Sequence, residues 1–326
     1  MDKIEERIAE WLGVNYATLV ASGLKGLWVT LRCLEAPGKK VVMPGFCCEE
    51  VVLTVLAAGM QPVFCDVNLR TYLATYHDIM QVVEENNDVA AVIAVSLFGQ
   101  LAPVIDLLSF CHSQDILLID DACQSYGGIV GFKFGEAGHA EMKCGALGDV
   151  GVISFGETKL LDVGGGGALL TNNADMYARI GQQLEHWPPM KIPLAPRRQL
   201  EEGWYDLDGL VHISQENAML YRKLLAHPAI THPAWRLGNK AVWRYSFLVP
   251  SHLRDGLVQA MREKGHLLSD HYQPLNKLFR GRELPVSFRL SECIVNVFTQ
   301  ARYVDHLAIV RLCEDINCWL DTTSSG

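Results

Sequence analysis

Short apolar runs recur along the first half of the chain, at residues 40–43, 61–66, 89–96, 116–120, 150–155 and 168–170, with segments of helical spacing between several of them. Continuous apolar runs separated by helices predict a largely parallel sheet covered on both faces. In such sheets ligands gather beyond the carboxyl ends of the strands. The Asp120-Asp121 pair and the turn 154–159 each follow a run and so fall on the same expected rim. Residues 1–12 read as an amphipathic helix. Between 185 and 208 the pattern breaks into "EHWPPMKIPLAPRRQLEEGWYDLD", rich in Pro, Trp and Arg and without a clear period, which reads as a loop or domain connector. Residues 214–225 then read as a helix, 241–249 as a strand and 252–264 as a helix. The expected organisation is α/β: a large domain with a mostly parallel sheet over 1–185, a connector and interdomain helix over 186–226, and a smaller C-terminal α/β domain over 227–326.

Composition narrows the function classes. A chain of 326 residues, 49% hydrophobic and 20% charged, can bury a large core. A net charge of −9, with no basic run interleaved with aromatics, argues against nucleic acid as a partner. The N-terminus mixes acidic residues into its apolar spacing, unlike a signal peptide, and every apolar run is interrupted before membrane-spanning length. A cytoplasmic protein without a membrane partner is expected. Most of the ten cysteines are scattered singly and no CxxC pair occurs, so neither a disulfide framework nor a metal site is expected.

The chemistry concentrates around "SFGETKLLDVGGGGALLTNN" (154–173), which sets Lys159 between an apolar strand and four glycines. Alone, Lys159 reads as well as a surface charge on a turn. Asp121, at the end of the run 116–120 with Gln124 three residues on, reads equally as a helix N-cap or as a functional carboxylate. Ser22-Gly23 lies where a strand-like run meets a helix, either an ordinary turn or an anion site built on free backbone N–H groups. Ser154 adds a hydroxyl five residues before Lys159. The glycines 164–167 read as close backbone approach to the lysine, and His271 as a packed histidine.

Taken together these stretches resemble the DegT-like sugar aminotransferases, which are fold type I enzymes using pyridoxal phosphate. The resemblance is carried by "VNYATLVASG" (14–23), "VVMPGF" with "LAAGMQPVFCDVN" (41–68), "AVSLFGQ" (94–100), "LLIDDACQSYGG" (117–128) and "GALGDVGVISFGETKLLDVGGGGALLTN" (145–172). It implies that Lys159 carries pyridoxal phosphate as a Schiff base, that Asp121 pairs with the pyridine nitrogen, that Gln124 lies beside the ring, and that Ser154 with the turn Gly23, Leu24 and Lys25, next to Ser22, holds the phosphate. The residue types suit the chemistry: a lysine amine can form a Schiff base and move protons, which arginine cannot.

The chain departs from that pattern in places. Leu24-Lys25 follows the Ser-Gly pair where a small hydroxylated residue is usual, with Lys25 a candidate to replace the lost bond by its charge. Cys48 falls at the position of a stacking aromatic, with Phe46 a candidate to contribute instead. No GxNxR signature occurs near 203–208, and extra residues lie around 136–144. The expectation is an aminotransferase moving an amino group from an amino acid such as glutamate to a keto group of a nucleotide-linked or activated sugar, as a homodimer with the 187–204 connector in its contact. The alternatives are a pyridoxal phosphate enzyme with another substrate or reaction, and a non-catalytic homologue. A nicotinamide dehydrogenase fares worst, because no GxGxxG follows the first strand.

Overall fold

The structure, a computed structural model, describes residues 1–134, 138–234 and 240–323; residues 136 and 137 of the extra segment lie outside them. The first strands in chain order are β1 (Tyr16–Val20), β2 (Lys40–Pro44), β3 (Gln61–Cys65), β4 (Val89–Val95) and β5 (Leu117–Asp121). A hairpin of β6 (Ile129–Phe134) and β7 (Gly138–Lys143) follows, then β8 (Val150–Ser154) and β9 (Gly167–Thr171). Seven of these form one sheet in the order β1-β9-β8-β5-β4-β2-β3. The pairs from β3 across to β8 are parallel, and β9 and β1 close the edge antiparallel. Strand β8 is buried throughout and β4 almost so, which explains why both read as unbroken apolar runs rather than as alternation.

Helices α1 (Lys3–Leu12), α2 (Gly23–Arg32), α3 (Glu49–Ala57), α4 (Tyr76–Glu84), α5 (Val104–Ser113) and α6 (Ala174–His186) lie among these strands in the chain. Segment 185–208 differs from the expected irregular connector. It contains α7 (Leu194–Gly203) between short 3-10 turns at Pro188–Met190 and Trp204–Asp206, and α8 (Leu207–Leu224) begins well before residue 214. Leu200 is the buried residue of α7, so there was no apolar period to read. Pro196 falls in the first turn, where a missing backbone N–H costs nothing.

Beyond residue 240 lies a second sheet, β10 (Arg244–Leu248), β11 (Leu268–Ser269) and β12 (Ile294–Phe298), antiparallel in the order β10-β12-β11. Helices α9 (Ser251–Glu263), α10 (Leu275–Leu278), α11 (Pro285–Cys293) and α12 (His306–Thr323) accompany it. Strand alternation divides this sheet. Tyr245, Phe247, Val295 and Val297 pack into a core with Tyr221, Met261 and Ile316, whereas Leu248 and Ile294, on the other face, belong to the core of the large sheet. That second face also carries Arg244, Ser246, Asn296 and Phe298, with Arg244 paired to Phe298 and Ser246 to Asn296.

Candidate active site

Ser22, Gly23, Leu24, Cys48, Asp121, Gln124, Ser154 and Lys159 line one cavity of about 210 Å³ at the carboxyl ends of β5 and β8. These eight residues come from four separate segments, which meet because the strands before them end on the same side of the sheet.

Lys159 stands on the turn after β8, half-buried, its Nζ 4.7 Å from the centroid of the Trp243 ring. The turn is held from both sheets. Thr158 N donates to Asp162 Oδ2 at 2.9 Å, and Thr158 O accepts from Trp243 Nε1 at 2.7 Å and Gln300 Nε2 at 2.8 Å. Those bonds fix Thr158 at φ +64°, a left-handed conformation that costs a β-branched residue energy. Asp162 also accepts from Tyr303 Oη at 2.8 Å. Burial pushes its carboxyl up, but the N–H groups of Gly164 and Thr158, the Tyr303 hydroxyl and the Arg302 charge outweigh that and hold it below its ordinary value.

Asp121 ends β5 and is 7% exposed. A turn follows it and no helix, so the N-cap reading fails; its Oδ1 accepts from Cys123 N at 3.1 Å instead. Burial raises its pKa, and the Cys123 thiol and N–H and the Lys159 charge recover only part of the shift. Among the described residues Asp121 has no ion pair within contact distance. Gln124 is locked at both ends, accepting from Phe98 N and donating to Tyr272 Oη, each at 2.9 Å.

At the opposite wall Ser22 caps α2, its Oγ accepting from Lys25 N at 3.1 Å, and the first turn of α2 carries no acidic residue. Gly23 must be glycine: a Cβ there would stand 2.7 Å from Cys123 Sγ and 3.1 Å from Ser154 Cβ. Of the run 164–167, Gly167 backs this same wall, since a Cβ there would meet Ile153 O at 2.5 Å and Gly23 N at 2.8 Å. Cys48 caps α3 and its thiol donates to Glu50 Oε2. Burial and that bond push the thiol up to about 12, which keeps it neutral.

Two expected contacts are absent from the lining. Lys25 is exposed and its Nζ donates to Pro189 O at 3.3 Å, because an ammonium beside an open carbonyl acceptor turns to it rather than along its own helix axis. Phe46 is 1% exposed and meets Tyr272 edge to face at 6.1 Å, so it supports Tyr272 from behind. Asp120, expected on the same rim, faces away and receives Gly145 N at 2.8 Å. His271 is exposed and stacks on Tyr272 at 5.2 Å. Residues missed from sequence are Trp243 and Tyr272, which form an aromatic stack with Phe98 beside Lys159 and Gln124, and Cys123 and Glu50, which line the cavity. No local pattern marks them, although "HYQPL" (271–275) already singled out the neighbourhood of Tyr272.

A mostly parallel sheet with this lysine turn and a smaller C-terminal sheet is the fold of the fold type I aminotransferases. A solved DegT/DnrJ/EryC1/StrS aminotransferase from Brucella abortus superposes with a TM-score of 0.84 at 25% identity, over 97% of this chain and 89% of that one. The chain belongs to the DegT/DnrJ/EryC1/StrS aminotransferase family, whose sequence model matches residues 1–186. It is 30% identical over 289 residues to the UDP-2-acetamido-2-deoxy-3-oxo-D-glucuronate aminotransferase of Pseudomonas aeruginosa, covering 84% of this chain and 77% of that protein. It is also 30% identical over 188 residues to the L-glutamine:2-deoxy-scyllo-inosose aminotransferase of Streptomyces fradiae, a match covering 56% of this chain and 42% of that protein, less than half its length.

Proposed function

We propose that the chain is a pyridoxal phosphate-dependent aminotransferase that moves an amino group from an amino acid, glutamate in our reading, to a keto group of a nucleotide-linked or otherwise activated sugar. The observation that carries this is the meeting of the Lys159 amine, the buried Asp121 carboxyl and the start of α2 in one cavity. The residues fit the cofactor: a buried carboxylate without an ion pair calls for a cation, as a protonated ring nitrogen would be, and Gly23 leaves backbone open at a helix start that favours a phosphate. The nucleotide-linked keto-sugar acceptor is supported by the name of the Pseudomonas relative, and a cyclic polyhydroxy ketone more broadly by that of the Streptomyces one.

Pyridoxal phosphate, when bound, supplies an electron sink for a carbon that loses its proton. Ser22, Gly23, Leu24 and Ser154 would hold the phosphate end. Asp121 would keep the ring nitrogen protonated, and Gln124, clamped by Phe98 and Tyr272, would lie beside the ring. Lys159 Nζ would be the amine that holds the cofactor, and on its flexible stem it would take and return the proton at the reacting carbon. Trp243 bounds its travel and covers it from water. Cys48, a neutral thiol, offers soft contact where an aromatic ring would otherwise stack.

The test is the absorption spectrum of the purified protein before and after borohydride, followed by mass mapping of the modified peptide. Cofactor fixed at Lys159 is expected, and a spectrum that changes on adding glutamate; protein that takes up no pyridoxal phosphate would end the reading. Ten free cysteines suit a reducing compartment, which is the support for a cytoplasmic location. A homodimer is supported by the exposed Leu53, Leu56, Trp187 and Leu194. Trp204, at the far end of the segment first taken as contact surface, is spent in the core against Trp11 and Phe155.

A further inference from the structure

One side chain closes the turn that carries Lys159. Asp162 Oδ2 accepts from Thr158 N at 2.9 Å and its Oδ1 from Gly164 N at 3.0 Å, so a single carboxylate ties the residue before the lysine to the glycines beyond it. The same Oδ2 accepts from Tyr303 Oη at 2.8 Å and meets Arg302 Nη1 at 3.4 Å. Tyr303 lies 141 residues further along the chain, on the turn after β12. That turn is anchored beside the small sheet: Asn217 Nδ2 of α8 donates to Thr299 O at 2.8 Å, and Gln300 Nε2 is shared between Trp243 O and Thr158 O, each at 2.8 Å. The lysine turn is thereby tied to an anchored piece of the C-terminal region at both Thr158 and Asp162.

These bonds keep a conformation that the turn would not hold by itself. Thr158 stands at φ +64°, and a β-branched residue leaves that region unless its neighbours forbid it. Both of its backbone polar groups are taken, the N–H by Asp162 and the carbonyl by Trp243 and Gln300. With the Asp162 hold gone, the peptide leading into Lys159 is free to rotate and to swing the amine, whose Nζ sits 4.7 Å from the Trp243 ring centroid. The Asp162 side chain is 8% exposed, and neither it nor Tyr303 is among the residues lining the cavity, so it reaches no substrate. We infer that Asp162 is a positioning residue for Lys159: braced by Tyr303, its carboxylate holds Thr158 in the strained conformation that aims the amine into the cavity. Strain kept immediately before the reacting amine points to aim rather than to the fold alone. The inference rests on the reading of Lys159 as the amine that holds the cofactor.

The experiment offers two forms of the cofactor to the full chain freed of it: pyridoxal phosphate, whose aldehyde condenses with the lysine amine to a C=N bond and releases water, and pyridoxamine phosphate, which fills the same cavity without bonding to the lysine. Attachment is followed by absorbance and by mass mapping of the borohydride-reduced peptide, and binding of the amine form by isothermal titration. Asp162→Ala should slow attachment at Lys159 by roughly 10- to 100-fold, the cost of a misplaced reacting group, and leave the affinity for pyridoxamine phosphate within about 2-fold of wild type. Tyr303→Phe removes one hydrogen bond and should slow attachment by about 2- to 12-fold. It should add nothing once Asp162 is alanine, because the two side chains act as one hold. Equal weakening of both cofactor forms would make Asp162 a structural residue and overturn the inference, and so would an unchanged rate of attachment; full additivity of the two substitutions overturns the brace. Thermal unfolding without cofactor accompanies each variant, and if Asp162→Ala does not fold, an unchanged rate in Tyr303→Phe overturns the inference. If the wild type takes up no cofactor, acetylation of Lys159 by acetic anhydride, read by mass mapping, makes the same comparison. A faster reaction in Asp162→Ala, as the amine leaves the Trp243 ring for water, keeps the positioning role and removes the aminotransferase alone, while an equal rate removes both.

Discussion

On one side of the end of β5 the chain closes upon itself, and on the other it leaves a cavity. Asp120 belongs to the closed side: its Oδ2 receives Gly145 N and Leu147 N and so fixes the approach to β8. Asp149 works there too, with Leu118 N on one oxygen at 2.8 Å and His112 on the other. Asp121, the next residue, belongs to the open side, with the N–H and thiol of Cys123 on it and the cavity beyond. Two buried carboxylates one residue apart therefore have opposite uses, because successive side chains of a strand point to opposite faces. A buried charge that the fold partners is architecture, and one that it leaves for a ligand is chemistry.

If this division is right, substitutions on the open side should strike activity and spare stability. Lys159→Ala is expected to have the largest effect, a loss of activity of at least about 10³-fold, with a nearly unchanged unfolding midpoint because Nζ packs on the face of Trp243 and makes no ion pair among the described residues. Steady-state rates and thermal unfolding of the same sample check both halves, and retained activity would remove Lys159 from the mechanism. Asp121→Asn comes next. A carboxylate about 4 Å from a pyridinium is worth roughly 4 kcal/mol at an effective dielectric near 20, or about three pKa units. Cofactor should still bind, absorbance should shift toward the unprotonated ring, and turnover should fall by about 10³-fold; an unchanged rate would return Asp121 to a structural role.

On the closed side the prediction is reversed. Burial raises Asp120 from 3.8 to about 6 despite the N–H groups of Gly145 and Leu147. Its folded pKa lies above the unfolded value, so the native state holds the proton more tightly, and the stability this gives is full below pH 3.8 and lost as pH rises through 6. Between pH 4.5 and 7 the wild type should lose about 2 kcal/mol through this one group. Asp120→Asn keeps an acceptor and removes that slope while leaving turnover at pH 7 nearly intact. Urea unfolding at the two pH values measures it, and equal slopes in both proteins would mean that Asp120 does not titrate in this range.

How much of this was legible depended on whether a feature is local. The strand runs, the turn carrying Lys159, the end of β5 and the strand-to-helix turn at Ser22-Gly23 are each written in a dozen consecutive residues, and the structure brings them together where parallel strand ends must meet. The cap reading of Asp121 stayed open in the sequence because Asp before Ala suits a helix start, and only the turn that follows decides against it. Trp243 and Tyr272 come to the edge of the site from segments flanking the second sheet, and their sequence surroundings are those of an ordinary strand and loop. Helix α7 hid because it buries a single leucine and carries a proline. Phe46 and Lys25 lay on correctly placed segments, but which way a side chain turns follows from neighbours distant in the chain, Tyr272 and Pro189.

The smallest effect concerns the wall at α2, where the open side itself is imperfectly furnished. Leu24 lines the cavity, while Lys25, one residue on, spends its ammonium on Pro189 O. Lys25 is then no substitute for the missing hydroxyl, and Leu24→Thr should add one hydrogen bond at the phosphate end, worth roughly 0.5–1.5 kcal/mol, or about a 2- to 12-fold gain in affinity at 1.4 kcal/mol per decade. Lys25→Ala should change affinity by less than about 2-fold, since it removes only an exposed contact. Titrating pyridoxal phosphate into the apo forms of both variants decides between the residues. Weakening by Lys25→Ala would mean that the ammonium leaves Pro189 when a phosphate arrives. If neither variant differs from wild type, the phosphate does not sit at the start of α2, and the open side of β5 must be redrawn around Ser154 alone.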